Sequence, residues 1–112
     1  VFKRTYDGGT TDPHIVFDGG YNCGLGFGTW AVVFVYKGKE ILLDWGHEYR
    51  STSSGLEFSA ARKAHEYAVR LGVDIVYGDY QGCLRTMSKE DPSIEWRWVP
   101  SRDNVADKYT KQ

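Results

Sequence analysis

The sequence predicts an α/β fold in which a five-stranded mixed sheet is flanked by helices. Three observations carry this. The chain opens with three apolar runs separated only by turn residues, the pattern of an antiparallel meander. One long amphipathic stretch follows, bounded by a cluster of hydroxyl residues and a glycine. Two further apolar runs are then reached through helical sequence, which makes them crossover strands of the same sheet.

Residues 1–12, with Asp7, Gly8 and Gly9 and then Asp12 before Pro13, read as an irregular leader or edge segment. His14 to Asp18 is a short apolar strand that stops at Gly19 and Gly20. Residues 19–28 contain five glycines and read as a turn-rich loop. Thr29 to Tyr36 is a second strand, too uniformly apolar to have a wet face, and Glu40 to Gly46 is a third after the turn at 37–39. Residues 51–54 are capping hydroxyls for one long helix, Leu56 to Leu71, which Gly72 ends. Val73 to Tyr77 is the fourth strand, and a short helix spans about 81–88. Ile94 to Val99 alternates with period two as the fifth strand, with Trp96 and Trp98 on one face and Glu95, Arg97 and Val99 on the other. Pro100 breaks it, and a last, truncated helix starts at Asp103.

At 112 residues the chain is expected to be one domain, 1–112, with a single modest core. A composition 41% hydrophobic and 15% aromatic belongs to a folding chain, not a disordered tail. No apolar run approaches the roughly 20 residues that cross a bilayer, so no membrane partner is expected. No signal peptide is visible, and a start at Val1 without Met suggests a processed chain or a piece of something longer. Cys23 and Cys83 share no ligand-type spacing, which argues against structural zinc and for free thiols in a reducing, cytoplasmic setting. A net charge of −1 speaks against a nucleic-acid partner at first sight, but bound divalent cations would reverse its sign.

Such cations are suggested by the carboxylates. Ala60, Ala61, Ala64, Tyr67, Ala68 and Leu71 follow Glu57 at offsets of one helical face, so Glu57 heads the stripe that meets the sheet. Stabilisation of the helix's first turn explains an acidic residue there equally well. Asp18 and Asp79 each end a hydrophobic strand, and in adjacent parallel strands they would emerge side by side at the carboxyl edge. Converging carboxylates repel, and an all-oxygen ligand set suits Mg²⁺ or Mn²⁺. Two such ions can serve phosphodiester hydrolysis. Asp107 would complete the set, although Asp103 and Asp107 also fit helix-dipole stabilisation. His14, His47 and His65 have no partner at ligand spacing, and His65 reads as solvated. The four Trp, at 30, 45, 96 and 98, sit in strands and read as packing residues.

Phe17 to Gly20 with Asn22 and a glycine loop, Thr52 to Ser54 with Glu57, Tyr77 to Gln81, and Trp98 to Pro100 with Asn104 to Asp107 occur in an order that resembles the type 1 ribonuclease H family, over about residues 14–112. The resemblance implies the ribonuclease H fold and a catalytic, metal-holding quartet of Asp18, Glu57, Asp79 and Asp107 with two Mg²⁺ or Mn²⁺ ions. It implies hydrolysis of the RNA strand of an RNA–DNA hybrid to 5′-phosphate and 3′-hydroxyl ends. It also implies substrate contacts from Gly19, Gly20, Asn22, Thr52, Ser53, Ser54, Gln81 and Arg102, where the RNA 2′-hydroxyl is read. A monomer is expected. Residues 105–111 look like the end of the ribonuclease H domain of some retrotransposon polyproteins, so membership of a larger polyprotein stays open. The chain departs from the family's pattern in four respects. Ser53 and Ser54 stand where bacterial members carry two Asn, and Ser101 to Asp103 replaces a Gly-His loop, with Arg102 a candidate substitute. The basic helical protrusion is missing, and the last helix is short. Two alternatives are a nucleic-acid-binding domain of this fold with weak or no catalysis and a nuclease of this fold acting on other nucleic acid. All four acidic positions argue against the first, and Asn22 with the Thr52–Ser54 entry argues against the second.

Overall fold

The computed structural model describes residues 1–22, 24, 26–49 and 52–110, with the side chain of Asn22 outside the description. Cys23 and Ser51, both named above, lie outside the described residues.

The strands are β1 (Phe2–Lys3), β2 (His14–Asn22), β3 (Phe27–Tyr36), β4 (Lys39–Tyr49), β5 (Ile75–Gly78) and β6 (Glu95–Trp98). The helices are α1 (Ser53–Leu71), α2 (Gln81–Glu90) and α3 (Asp107–Thr110). They form one sheet in the order β1-β6-β5-β2-β3-β4. The meander β2-β3-β4 is antiparallel, while β2, β5, β6 and β1 run parallel to one another. The mixed α/β architecture is as predicted, but the sheet has six strands instead of five. The extra strand lies in the leader, where Phe2 pairs with Trp96 and Lys3 with Arg97. Asp7 fastens the same leader, accepting from the Tyr77 hydroxyl at 3.0 Å and from Arg97 at 2.9 Å.

Sequence alternation sorts the core onto two faces. Ile15, Phe17, Trp30 and Trp96 pack under Leu56 and the alanines of α1, while Val16, Val33, Ile75, Tyr77 and Val99 pack on the other face with Ala106. Helix α1 is capped as expected: Thr52 accepts from the Gly55 amide, and Gly72 takes the left-handed conformation at φ 69°. Its stripe holds at Ala60, Ala61, Ala64 and Ala68 but not at its end, because Leu71 is 48% exposed where the last turn overruns the sheet.

Several other expectations are corrected. The glycines of 19–28 do not end the strand, since β2 runs on to Asn22 and pairs with β3 from Phe27. Residues 101–103 form a single 3₁₀ turn, and the last helix starts only at Asp107. His65 is only partly solvated; its Nε2 lies 2.8 Å from Asp91 Oδ2, tying α1 to the turn after α2. Trp45 lies outside the core: it is 54% exposed and packs edge-on against His47 on the sheet face.

Candidate active site

Three carboxylates meet where the parallel pairing of β2 and β5 ends. The register matches Ile15 with Val76 and Val16 with Tyr77, and β5 stops at Gly78 while β2 continues. Asp18 thus stands in the middle of β2, not at its end as the sequence suggested, beside the point where Asp79 leaves β5. Glu57 reaches them from α1. One oxygen from each of Asp18, Glu57 and Asp79 lies within 4.8 Å of the other two. The expected adjacency and parallel direction of the Asp18 and Asp79 strands are both present.

The position of Glu57 decides between the two readings of that residue. It lies beyond the first turn of α1, which holds no acidic residue, and is only 7% exposed. Its Oε1 accepts from the Gly19 amide at 2.7 Å. That contact requires glycine at 19, because a Cβ there would stand 2.5 Å from the Leu56 carbonyl carbon and 2.7 Å from the Glu57 nitrogen. The glycine that reads as a turn signal therefore acts as a close-approach residue, letting the first turns of α1 lie on β2.

The cluster is electrostatically unbalanced. Asp18 is 4% exposed, and among the described residues no Lys or Arg pairs with Asp18, Glu57 or Asp79. Burial, then the Asp79 and Asp107 carboxylates, push Asp18 up to about 8. Burial, then Asp79 and Asp18, push Glu57 up to about 10. Carboxyl groups this far from their ordinary range mark a site that lacks positive charge. Its donors are oxygens alone, on three separate elements, which fits a hard divalent cation such as Mg²⁺ or Mn²⁺. Asp107, the first residue of α3, lies outside this trio but close enough to Asp18 to hydrogen-bond with it.

The other sequence candidates divide. Gly19, Thr52, Ser53 and Ser54 line one open cleft of about 470 Å³ with Glu57 and Tyr80. Arg102, its side chain 85% exposed, lines a separate groove with Asp107 and Lys108. Gly20 faces α3, where a Cβ would come 3.2 Å from the Thr110 hydroxyl. Gln81 opens α2 and donates from Nε2 to the Arg4 carbonyl at 3.4 Å. The backbone of Asn22 ends β2.

Sequence reasoning gave no role to three residues that hold the site. Buried Asn104 donates from Nδ2 to the Phe17 carbonyl at 3.0 Å and reaches Asp79 Oδ2 at 3.4 Å, while its Oδ1 accepts from the Ala106 amide. Trp98 Nε1 donates to the Asp79 carbonyl at 3.2 Å. The Thr110 hydroxyl donates to the Asp107 carbonyl and lies 3.5 Å from Asp18 Oδ2. Asn104 and Trp98 left a signal, since both stand inside one of the quoted motifs, whereas Thr110 left none there.

No family model matches this chain, and no curated protein matches it by sequence. Solved structures do match. Ribonuclease H1 from the archaeon Halobacterium salinarum is 22% identical at a TM-score of 0.61, over 88% of this chain and 92% of its own. LC11 ribonuclease H1, isolated from compost by a metagenomic approach, is 20% identical at a TM-score of 0.68, over 91% of this chain and 94% of its own. The LC11 enzyme was also solved in complex with an RNA/DNA hybrid; that structure is 18% identical at a TM-score of 0.66, over 89% and 94% of the two chains. The chain thus forms a ribonuclease H-like domain, the fold anticipated from its motifs.

Proposed function

We propose that this chain is a ribonuclease H, an endonuclease that cuts the RNA strand of an RNA–DNA hybrid with two divalent ions. The observation that carries this reading is the unneutralised trio Asp18, Glu57 and Asp79, whose Glu57 also lines the Thr52–Ser54 cleft. The fold shared with ribonuclease H1 structures, one of them hybrid-bound, supports it.

In this reading Asp18, Glu57, Asp79 and Asp107 hold Mg²⁺ or Mn²⁺, which when bound lowers the pKa of attacking water and stabilises the leaving oxygen. The Gly19 amide donates to one oxygen of Glu57 and so holds that carboxylate in place. Asn104 and Trp98 hold Asp79 by its side chain and backbone. The same reading assigns contacts with the hybrid to Gly19, Gly20, Asn22, Ser53, Ser54 and Gln81. The Thr52 hydroxyl, also the helix cap, positions that rim. Arg102, which lines one groove with Asp107, is there to meet a phosphate. A single domain acting as a monomer inside the cell, alone or within a larger polyprotein, completes the reading. Among the described residues no helix is long and apolar enough to cross a membrane.

The test is incubation with a labelled hybrid in Mg²⁺, in Mn²⁺ and in EDTA. Cleavage of the RNA strand alone, dependent on metal and leaving 5′-phosphate and 3′-hydroxyl ends, is expected. Binding without cleavage in either metal would leave only the binding-domain alternative.

A further inference from the structure

Beside the acidic site runs a basic row that the reading above does not use. Strands β2, β5, β6 and β1 are parallel, so their carboxyl ends share one edge of the sheet. Asp79 lies at that edge, with Asp18 beside it on β2, which runs on past the end of β5. Arg4, the residue that follows β1, lies at the edge too. Gln81, two residues after Asp79, donates to the Arg4 carbonyl and fixes the backbone of Arg4 beside the first turn of α2. From Gln81, positions Arg85 and Lys89 follow at i+4 and i+8 along one side of that helix. The opposite side buries Cys83, Leu84 and Met87. The Arg85 guanidinium lies 5.6 Å from the Phe2 ring centre, which holds it on the flank between α2 and β1.

Arg4, Arg85 and Lys89 are all exposed, and among the described residues none has a carboxylate within ion-pair distance. Nearby Arg62 pairs with Glu90, and Arg97 with Asp7 and Glu95, while among the described residues Lys3 beside Arg4 has no ion pair either. Three unpaired cations on the β1–α2 flank, with Arg4 at the edge that carries the candidate carboxylates, match an anionic polymer better than scattered solvent contacts. The row from Gln81 to Lys89 rises about 12 Å, and β1 stands two strand spacings, about 10 Å, from β5. Each span covers about three phosphates at the axial rise of one strand.

We infer that Arg4, Arg85 and Lys89 form a phosphate track that holds the backbone of the hybrid as it leaves the cutting site along the β1–α2 flank. The inference rests on the nuclease reading. It assigns a function to the short strand β1, which brings Arg4 to the edge.

The test is the salt dependence of hybrid cleavage by the wild type and by a triple variant, Arg4→Gln, Arg85→Gln and Lys89→Gln. Each lost phosphate contact lowers the slope of log(kcat/KM) against log[salt] by about 0.9. The triple variant should therefore lose a slope of about 2.7, with the loss falling on KM. Its deficit should then shrink by about 40-fold between roughly 50 and 200 mM salt. A charge-keeping variant, Arg4→Lys with Arg85→Lys, should retain the wild-type slope, which a merely structural role for the guanidiniums would not predict. Arg62→Gln, which removes a cation already paired with Glu90, should change the slope by less than one such contact. If the triple variant melts like the wild type and keeps its slope and KM, the track is overturned while the nuclease reading stands. If the wild type cuts no hybrid in either metal, the nuclease reading falls and takes the track with it.

Discussion

Asp18 is a carboxylate placed where water cannot pay its solvation and where its nearest charged neighbours share its sign. Such a position is costly to the metal-free fold and useful only if a cation compensates. Asp18→Asn should therefore abolish hybrid cleavage, because an amide is a poor bridging ligand. It should also leave the metal-free protein as stable as the wild type or more so. Paired activity assays and thermal melts in EDTA check both halves; a large loss of metal-free stability would mark Asp18 as structural. Asn104 predicts the opposite pairing. Asn104→Ala strips a donor from the Phe17 carbonyl and frees Asp79, so it should cost about 1–3 kcal/mol in stability. Urea denaturation in EDTA measures that cost, and a metal titration should show weakened affinity in the same variant.

At the level of elements, legibility followed the length of the pattern. Helix α1 has nineteen residues, a hydroxyl cap and a glycine stop, and the sequence located it within a few positions. Strand β6 declared itself by alternation over a few residues. Strand β1 could not, since two residues have no period and their pairing to Trp96 and Arg97 is visible only in space. The glycines of 19–28 misled for a related reason. In isolation they signal a loop, but Gly19 and Gly28 stand where Leu56 approaches the sheet too closely for any side chain. Glu57 and Asp18 could be picked out because each sits at a definite place in a periodic element, and Asp79 because it directly follows one. The role of Asn104 could not, because its partner lies 87 residues away and a loop asparagine looks the same whether buried or wet. The two kinds of glycine can be separated by experiment. Gly72→Ala meets nothing within 4 Å and pays only for its left-handed φ, about 1–2 kcal/mol, with metal affinity unchanged. Gly19→Ala drives a methyl into the α1 backbone, so it should cost about 1–3 kcal/mol and weaken Mg²⁺ binding as Glu57 is displaced. Calorimetric titration with Mg²⁺ on both variants separates the two effects.

For the molecule as a whole, the acidic site couples stability to pH and to metal in a fixed sense. The folded-state values of Asp18 and Glu57, about 8 and about 10, lie above the ordinary values of 3.8 and 4.5 that the unfolded chain adopts. Between those limits the folded protein retains protons that the unfolded chain has released. Stability therefore falls as pH rises, by about 1.4 kcal/mol per pH unit for each proton of difference. The favourable contribution is complete below about pH 4 and lost as pH climbs through 8 toward 10. Asp7, Asp91 and Glu95 act in the opposite sense, since their values are lowered. For Asp7 the Gly9 amide, Tyr77 and Arg97 outweigh burial; Asp91 is held down by Ser93 and His65, and Glu95 by Arg97. Their stabilisation is lost only as pH falls below the ordinary carboxylate range, so it leaves the higher window untouched. In EDTA the melting temperature should thus be highest near pH 5 and decline toward pH 9. Mg²⁺ binds the ionised carboxylates and must compete with those protons, so the rise in melting temperature it produces should grow over the same interval. Asp18→Asn should flatten both trends. Melting curves at pH 5, 7 and 9, with and without Mg²⁺, settle the matter: a metal-induced shift that stays constant or shrinks with pH would mean that the ions bind elsewhere than at Asp18, Glu57 and Asp79.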